Sequence, residues 1–157
     1  MRVGWGVDAH RFEAEGRVVL GGVVVDETRG VEATSDGDVL AHALADALLG
    51  AVALGDLGEH YPSADPRWWG ADSMDLLRDV VARVAEVGHR VSSVDTTVVA
   101  QDVRVGPHRA EIRTSLADAL GVDETDVSVK ATSTDHLGFT GRGEGIAALA
   151  AVVLVES

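Results

Sequence analysis

Cysteine is absent from the 157-residue chain, which rules out a disulfide scaffold and a thiolate metal site. Histidine, aspartate and glutamate remain as possible ligands. Lysine occurs once, at Lys130, and the other twelve of the thirteen basic residues are arginines. No apolar run approaches the ~18 residues that a membrane-spanning helix needs. The opening stretch MRVGWGVDAH has no apolar h-region, so a cytoplasmic chain is expected. Repeats, low-complexity tracts and a dividing linker are all missing. Glycine-rich GRGEG lacks the lysine and the spacing of a P-loop. GWGVD is no dinucleotide fingerprint, because no helix follows its glycines.

What is present is acidic and apolar. Hydrophobic residues make up 46% of the chain, which argues against disorder. The length suits one domain, expected over residues 1–157. The net charge of −13 disfavours nucleic acid and anionic membranes as partners. It would also repel a phosphorylated substrate. A phosphate site must then be built locally from metal ions, backbone N–H groups and arginines.

Valine-rich stretches at Arg2–His10 and Arg17–Asp26 read as strands, with a bend at Gly21-Gly22. Asp38 is placed to cap a helix over Val39–Leu54. A second helix is predicted over Ser73–Val87, ended by Gly88, and a third over Pro107–Leu120, ended by Gly121. Val91–Asp102, Val127–Thr132 and Ile146–Val155 read as strands. The order predicts an α+β fold: a mixed sheet with helices packed on one face.

Asp8 and His10 leave the same face of the first strand. That pair fits a metal site, and it fits a solvated strand face as well. His42 lies opposite the Leu40, Leu44, Leu48 stripe of the first helix, with Asp46 one turn on as a backing carboxylate. A surface histidine is the alternative. If the three meet, two nitrogens and one carboxylate suit zinc with its fourth position open for catalysis. His60, His89, His108 and His136 lack metal spacing. Near the C-terminus, Thr132, Ser133, Thr134 and Asp135 precede glycines that permit an exposed backbone able to aim N–H groups at phosphate. Asp135 would suit Mg²⁺ and Arg142 a fixed positive charge. A glycine-rich hairpin with capping hydroxyls explains the same composition.

Taken together, GWGVDAH (Gly4–His10), SDGDVLAHALADALLGA (Ser35–Ala51), GDLG (Gly55–Gly58), VDTTVVAQ (Val94–Gln101) and VKATSTDHLGFTGRGEGIA (Val129–Ala147) resemble the 2-C-methyl-D-erythritol 2,4-cyclodiphosphate synthases of the non-mevalonate isoprenoid pathway. The resemblance spans nearly the whole chain. It implies a homotrimer with shared active sites and a reaction that closes a cyclic diphosphate and releases CMP. It implies one zinc per subunit on Asp8, His10 and His42, and Mg²⁺ or Mn²⁺ with the substrate diphosphate. Ser35, Asp56, Leu57 and Gly58 match the methylerythritol phosphate pocket, and Tyr61 and Asp65 match contacts at the adjoining loop. Ala100 to Gly106, including Arg104 and Val105, match the neighbouring subunit's cytidine pocket. Thr132, Ser133, Thr134 and Asp135 match the diphosphate segment, with Asp135 as the magnesium ligand. Phe139 and Arg142 match further substrate contacts, and Pro62–Gly70 matches a mobile lid. Three departures stand out: Thr34 and Trp5 replace histidines usual in the family, and Ser133 replaces a common threonine. Thr34 and Ser133 are the implied transition-state stabilisers. A zinc phosphohydrolase and a non-catalytic trimer binding isoprenoid diphosphates are the rival readings.

Overall fold

The computed structural model describes residues 1–157. Strand β1 (Arg2–Glu13) leads into a hairpin of β2 (Val18–Leu20) and β3 (Val23–Asp26), then the short β4 (Gly30–Val31). Helix α1 (Val39–Ala51) and one-turn α2 (Leu57–His60) precede α3 (Ser73–Glu86), β5 (His89–Val99) and α4 (Arg109–Leu120). Strand β6 (Val127–Thr132), one-turn α5 (Gly138–Gly141) and β7 (Gly145–Glu156) complete the chain. Five strands form one sheet in the order β4-β1-β7-β5-β6. The β5/β6 pair is parallel and the others are antiparallel, so the sheet is mixed as predicted.

Alternation along β1 decides which face the helices cover. Gly4 and Gly6 are buried, whereas the alternating Val3, Trp5 and Val7 are exposed. α1 lies directly over the two glycines. A Cβ at Gly4 would stand 2.0 Å from the Ala47 carbonyl oxygen, and one at Gly6 would stand 2.2 Å from that of Ala43. No side chain fits there, so the glycines set how closely α1 approaches the sheet. In α1 only His42, Asp46 and Gly50 escape full burial. The helix is thus a core element with a single polar line, one residue per turn, at i, i+4 and i+8.

Asp38 is the buried N-cap of α1, as the sequence reads. Its Oδ1 accepts from Leu40, Ala41 and Gly21 N–H at 3.0–3.1 Å, and its Oδ2 accepts from Gly22 N–H at 2.8 Å. One carboxylate therefore ties the hairpin turn to the helix start. Burial pushes its pKa up to about 6, although the Ala41, Gly22 and Gly21 N–H groups pull the other way. Asp38→Ala strands these buried donors and removes the cap. It is expected to cost at least ~3 kcal/mol in denaturant unfolding. Asp38→Asn should cost less, since its carbonyl oxygen can take the place of Oδ1. The folded pKa lies above the unfolded one, so the folded state holds the Asp38 proton more tightly. Wild-type stability relative to Asp38→Asn should therefore decline as pH rises from 3.8 to about 6. An Asp38→Ala protein as stable as wild type would refute the account.

Some boundaries move. β5 ends at Val99, because the chain turns at Gln101 and Asp102 toward the Gly106–His108 turn of 3-10 helix that precedes α4. Helix α1 stops at Ala51 rather than Leu54, where Ala53 adopts positive φ.

Candidate active site

The alternation that seats α1 on Gly4 and Gly6 continues to Asp8 and His10 on the same face of β1. His42 projects from the polar line of α1 onto this pair. Asp8 Oδ2 lies 3.0 Å from His10 Nε2 and 3.0 Å from His42 Nδ1, and the two ring nitrogens are 3.3 Å apart. Ligands ~2.0–2.1 Å from a tetrahedral zinc ion are separated by about 3.3 Å, so this triangle has the size of one tetrahedral face. The donor set fits a divalent metal with a position left open.

Electrostatics ties the three groups together. Burial alone would raise the Asp8 pKa, but hydrogen bonds from His10 and His42 bring it down to about 2. Burial alone would lower the His42 pKa; the hydrogen bond and charge of Asp8, with Asp38 and Asp36 nearby, outweigh it and raise it. Asp8 is an anion throughout the neutral range, ready as a ligand.

Asp46 does not back His42. Its Oδ1 accepts from the Leu57 N–H at 2.7 Å and pins α2 to α1. The support for His42 comes from across the fold. His42 Nε2 is 2.8 Å from Ser73 Oγ and 3.1 Å from Ser35 Oγ. Ser73, at the start of α3, donates its hydroxyl proton to Asp36 Oδ1 and its backbone N–H to Asp36 Oδ2, the latter at 3.1 Å.

Most of the remaining sequence-predicted residues line three cavities, whereas Asp56, Gly58, Asp65, Thr134, Asp135 and Arg142 line none of them. His10 and His42 open into a cavity of about 150 Å³ with Thr34, Ser35, Leu57, Tyr61, Trp68 and Leu76 in its walls. Asp56 caps α2 by accepting from Glu59 N–H, with Gly58 exposed on that turn. Tyr61 donates its hydroxyl proton to Asp79 and meets Trp68 edge-on at 5.0 Å. Asp65 caps the 3-10 turn Pro66–Trp68 and pairs with Arg67 at 2.6 Å. A second cavity, about 380 Å³, has Ala100, Arg104, Val105, Gly106, Thr132 and Ser133 in its lining. The adjacent strands β5 and β6 run parallel, which brings both segments to one end of the sheet. A third, about 180 Å³, joins His10 to Phe139. Arg142 pairs with Glu144 at 3.2 Å beside it. Thr134 turns inward, donating to Leu137 O at 2.6 Å, so its hydroxyl holds the turn. Asp135 follows with positive φ on the exposed side.

A half-buried carboxylate–histidine triangle that could hold a metal ion, set on an α+β fold beside a second, open cavity, has the make-up of an enzyme's active site, and the chain belongs to the YgbB family, whose profile matches residues 1–155. Its relatives carry a specific name. A 2-C-methyl-D-erythritol 2,4-cyclodiphosphate synthase of Pseudomonas aeruginosa is 56% identical, over 99% of this chain and 99% of its own. The enzyme of that name from Marinobacter nauticus is 54% identical, over 98% and 97%. Among solved structures, a CDP-bound 2-C-methyl-D-erythritol 2,4-cyclodiphosphate synthase superposes with a TM-score of 0.90 at 32% identity, covering 98% of this chain and all of that one. The Plasmodium falciparum protein in complex with CDP gives 0.87 at 28%, covering 99% and 96%. No helix here is long and apolar enough to cross a membrane.

Proposed function

We propose that the chain converts 4-diphosphocytidyl-2-C-methyl-D-erythritol 2-phosphate to 2-C-methyl-D-erythritol 2,4-cyclodiphosphate and releases CMP. The observation that carries this reading is the Asp8–His10–His42 triangle opening into a cavity lined by hydroxyls and apolar side chains. The 2-phosphate oxygen attacks the β-phosphorus, and the bond from that phosphorus to the CMP oxygen breaks. Both reacting groups belong to one molecule, so the protein's task is positioning and charge neutralisation.

Asp8, His10 and His42 would hold zinc, and Asp135 would hold magnesium or manganese with the diphosphate. When bound, these ions supply Lewis acidity and offset phosphate charge. The walls formed by Ser35, Leu57 and Tyr61 receive the methylerythritol part, with Asp56 and Gly58 at its rim. The 380 Å³ cavity from Ala100 to Gly106 takes the cytidine of a neighbouring subunit's substrate. Thr132 and Ser133, in the same lining, face its diphosphate. Thr34 and Ser133 donate hydrogen bonds to the developing charge. Phe139 and Arg142 close the site on the His10 side. Asp65 serves through its pairing with Arg67, which shapes the Pro62–Gly70 loop.

A trimer completes the arrangement. Val3, Trp5, Val7 and Leu149 lie on the sheet face that the helices leave bare, at 67%, 72%, 48% and 41% exposure. They are neighbours across the β1/β7 pair, where Val7 opposes Leu149. An apolar face of this kind calls for a partner surface. Three copies meeting through it would also bring each metal cavity toward a neighbour's nucleotide cavity.

Phosphorus NMR of the reaction tests the function. The substrate signals should give way to those of a cyclic diphosphate and CMP in equal amounts. EDTA should abolish turnover, and added divalent metal should restore it. A linear phosphate product would assign a hydrolase instead, and metal uptake without turnover would assign a binding protein.

A further inference from the structure

His42 has two ring nitrogens, and only one faces Asp8 and His10. What fixes the proton on the other lies outside every residue so far given a role in the reaction. Ser73 has one hydroxyl hydrogen, and the Asp36 carboxylate, in contact with Ser73 Oγ, can only accept it. Ser73 Oγ is then left to face His42 Nε2 as an acceptor at 2.8 Å. An acceptor at that distance requires Nε2 to carry a proton. Nδ1 faces the Asp8 carboxylate at 3.0 Å, so the proton shared there is the one a metal ion displaces, and Nδ1 then offers its lone pair as the ligand. We infer that Ser73 and Asp36 are positioning residues that set the tautomer and ring orientation of His42 and so hold Nδ1 as the metal ligand.

The surroundings make the relay rigid. Ser73 is buried at 1% exposure. Asp36 takes both the hydroxyl and the backbone N–H of Ser73, so it cannot turn away without freeing the first residue of α3. Asp36 N–H in turn donates to Ala71 O at 3.1 Å, closing the loop 34–38 onto the approach to α3. Ser35 Oγ also lies 3.1 Å from Nε2 and 3.3 Å from Ser73 Oγ, and it accepts from Gly37 N–H at 3.3 Å, so its own hydroxyl hydrogen is left for Ser73 Oγ or for the cavity. With Ser73 as the principal partner of Nε2, the Ser35 hydroxyl can turn to the cavity it lines. The relay therefore separates two tasks that one serine would otherwise share: orienting the ligand and meeting the substrate.

This inference rests on the metal-site reading above, and its test reads the ring directly. In protein labelled with ¹⁵N-histidine, His42 is assigned by its loss in His42→Ala. Two-bond ¹H–¹⁵N correlations should then show Nε2 protonated, in the metal-free and the zinc-loaded protein alike. Zinc affinity, measured by competition with a chromogenic chelator, should fall about 10–100-fold in Ser73→Ala. Ser73→Thr, which keeps the hydroxyl, should recover most of that loss. Asp36→Asn should leave the Nε2 signal broadened by faster solvent exchange. Turnover of Ser73→Ala should return toward wild type at saturating zinc, which a merely unfolded or misfolded variant would not show. A wild-type His42 that lacks the Nε2 proton, in the metal-free or the zinc-loaded protein, would overturn the inference even if zinc binds. So would unchanged zinc affinity and exchange in both Ser73→Ala and Asp36→Asn. A wild-type protein that takes up no divalent metal but shows the Nε2 proton would sink the metal reading and leave the relay standing.

Discussion

His42→Ala is expected to remove zinc and activity together while the fold survives. His42 is one of the three proposed ligands, and its side chain is 11% exposed between β1 and α1. Loss of an outer partner alone costs about 10–100-fold in metal affinity, so loss of the ligand itself should exceed that. Alanine suits the position for the backbone: it is the strongest helix former, and α1 is already alanine-rich. The ten buried residues of α1 and their contacts with Gly4 and Gly6 are untouched. The Asp8 carboxyl loses one of the two imidazole partners that lower its pKa, so it should titrate at a higher pH than about 2. Atomic absorption on the purified variant, with circular dichroism for the fold, decides the matter. Full metal occupancy with normal turnover would sink the ligand assignment.

What the sequence reveals about this site divides by range. Asp8 and His10 share a face by the two-residue period of a strand, and Asp38 announces a helix start; both readings use neighbours only, and both match the structure. The placement of His42 away from the leucine stripe also follows from helical period. Period cannot say what His42 then touches. Asp46, one turn on, is the nearest carboxylate along the helix, yet it turns to the Leu57 N–H, an unpaired donor at the start of α2. The groups that do reach Nε2 are Ser35 and Ser73, and Ser73 lies 31 residues further along the chain. No spacing rule links residues brought together by the packing of α3 against α1. The short elements were hidden for a different reason. β4 has two residues and pairs only with the end of β1, while α2 and α5 are single turns. Elements so brief are held by tertiary contacts and capping rather than by any periodicity. Gly4 and Gly6 could be read in GWG as strand punctuation, but their service to α1 becomes visible only when Ala43 and Ala47 are seen against them.

Two inactive variants should restore activity when their subunits are mixed. The proposed metal cavity and the proposed nucleotide cavity share no lining residue, and they sit over β1 and at the ends of β5 and β6, with β7 between. Such a division suits a site assembled from two subunits of a trimer. His42→Ala disables the metal side. Gly106→Trp should disable the nucleotide side, because a side chain at Gly106 meets nothing within 4 Å and would project into the cavity rather than the core. The variant should therefore fold and yet exclude the cytidine. In the proposed homotrimer, either variant alone repeats its defect at every interface. After joint unfolding and refolding at equal amounts, an interface is intact when its metal side comes from Gly106→Trp and its nucleotide side from His42→Ala. Random assembly makes about a quarter of the interfaces intact, so about a quarter of wild-type activity should return. Native mass spectrometry of the mixture establishes that hybrid trimers form. Hybrid trimers without recovered activity would place the whole site in one chain, and a monomer at working concentration would overturn the assembly itself.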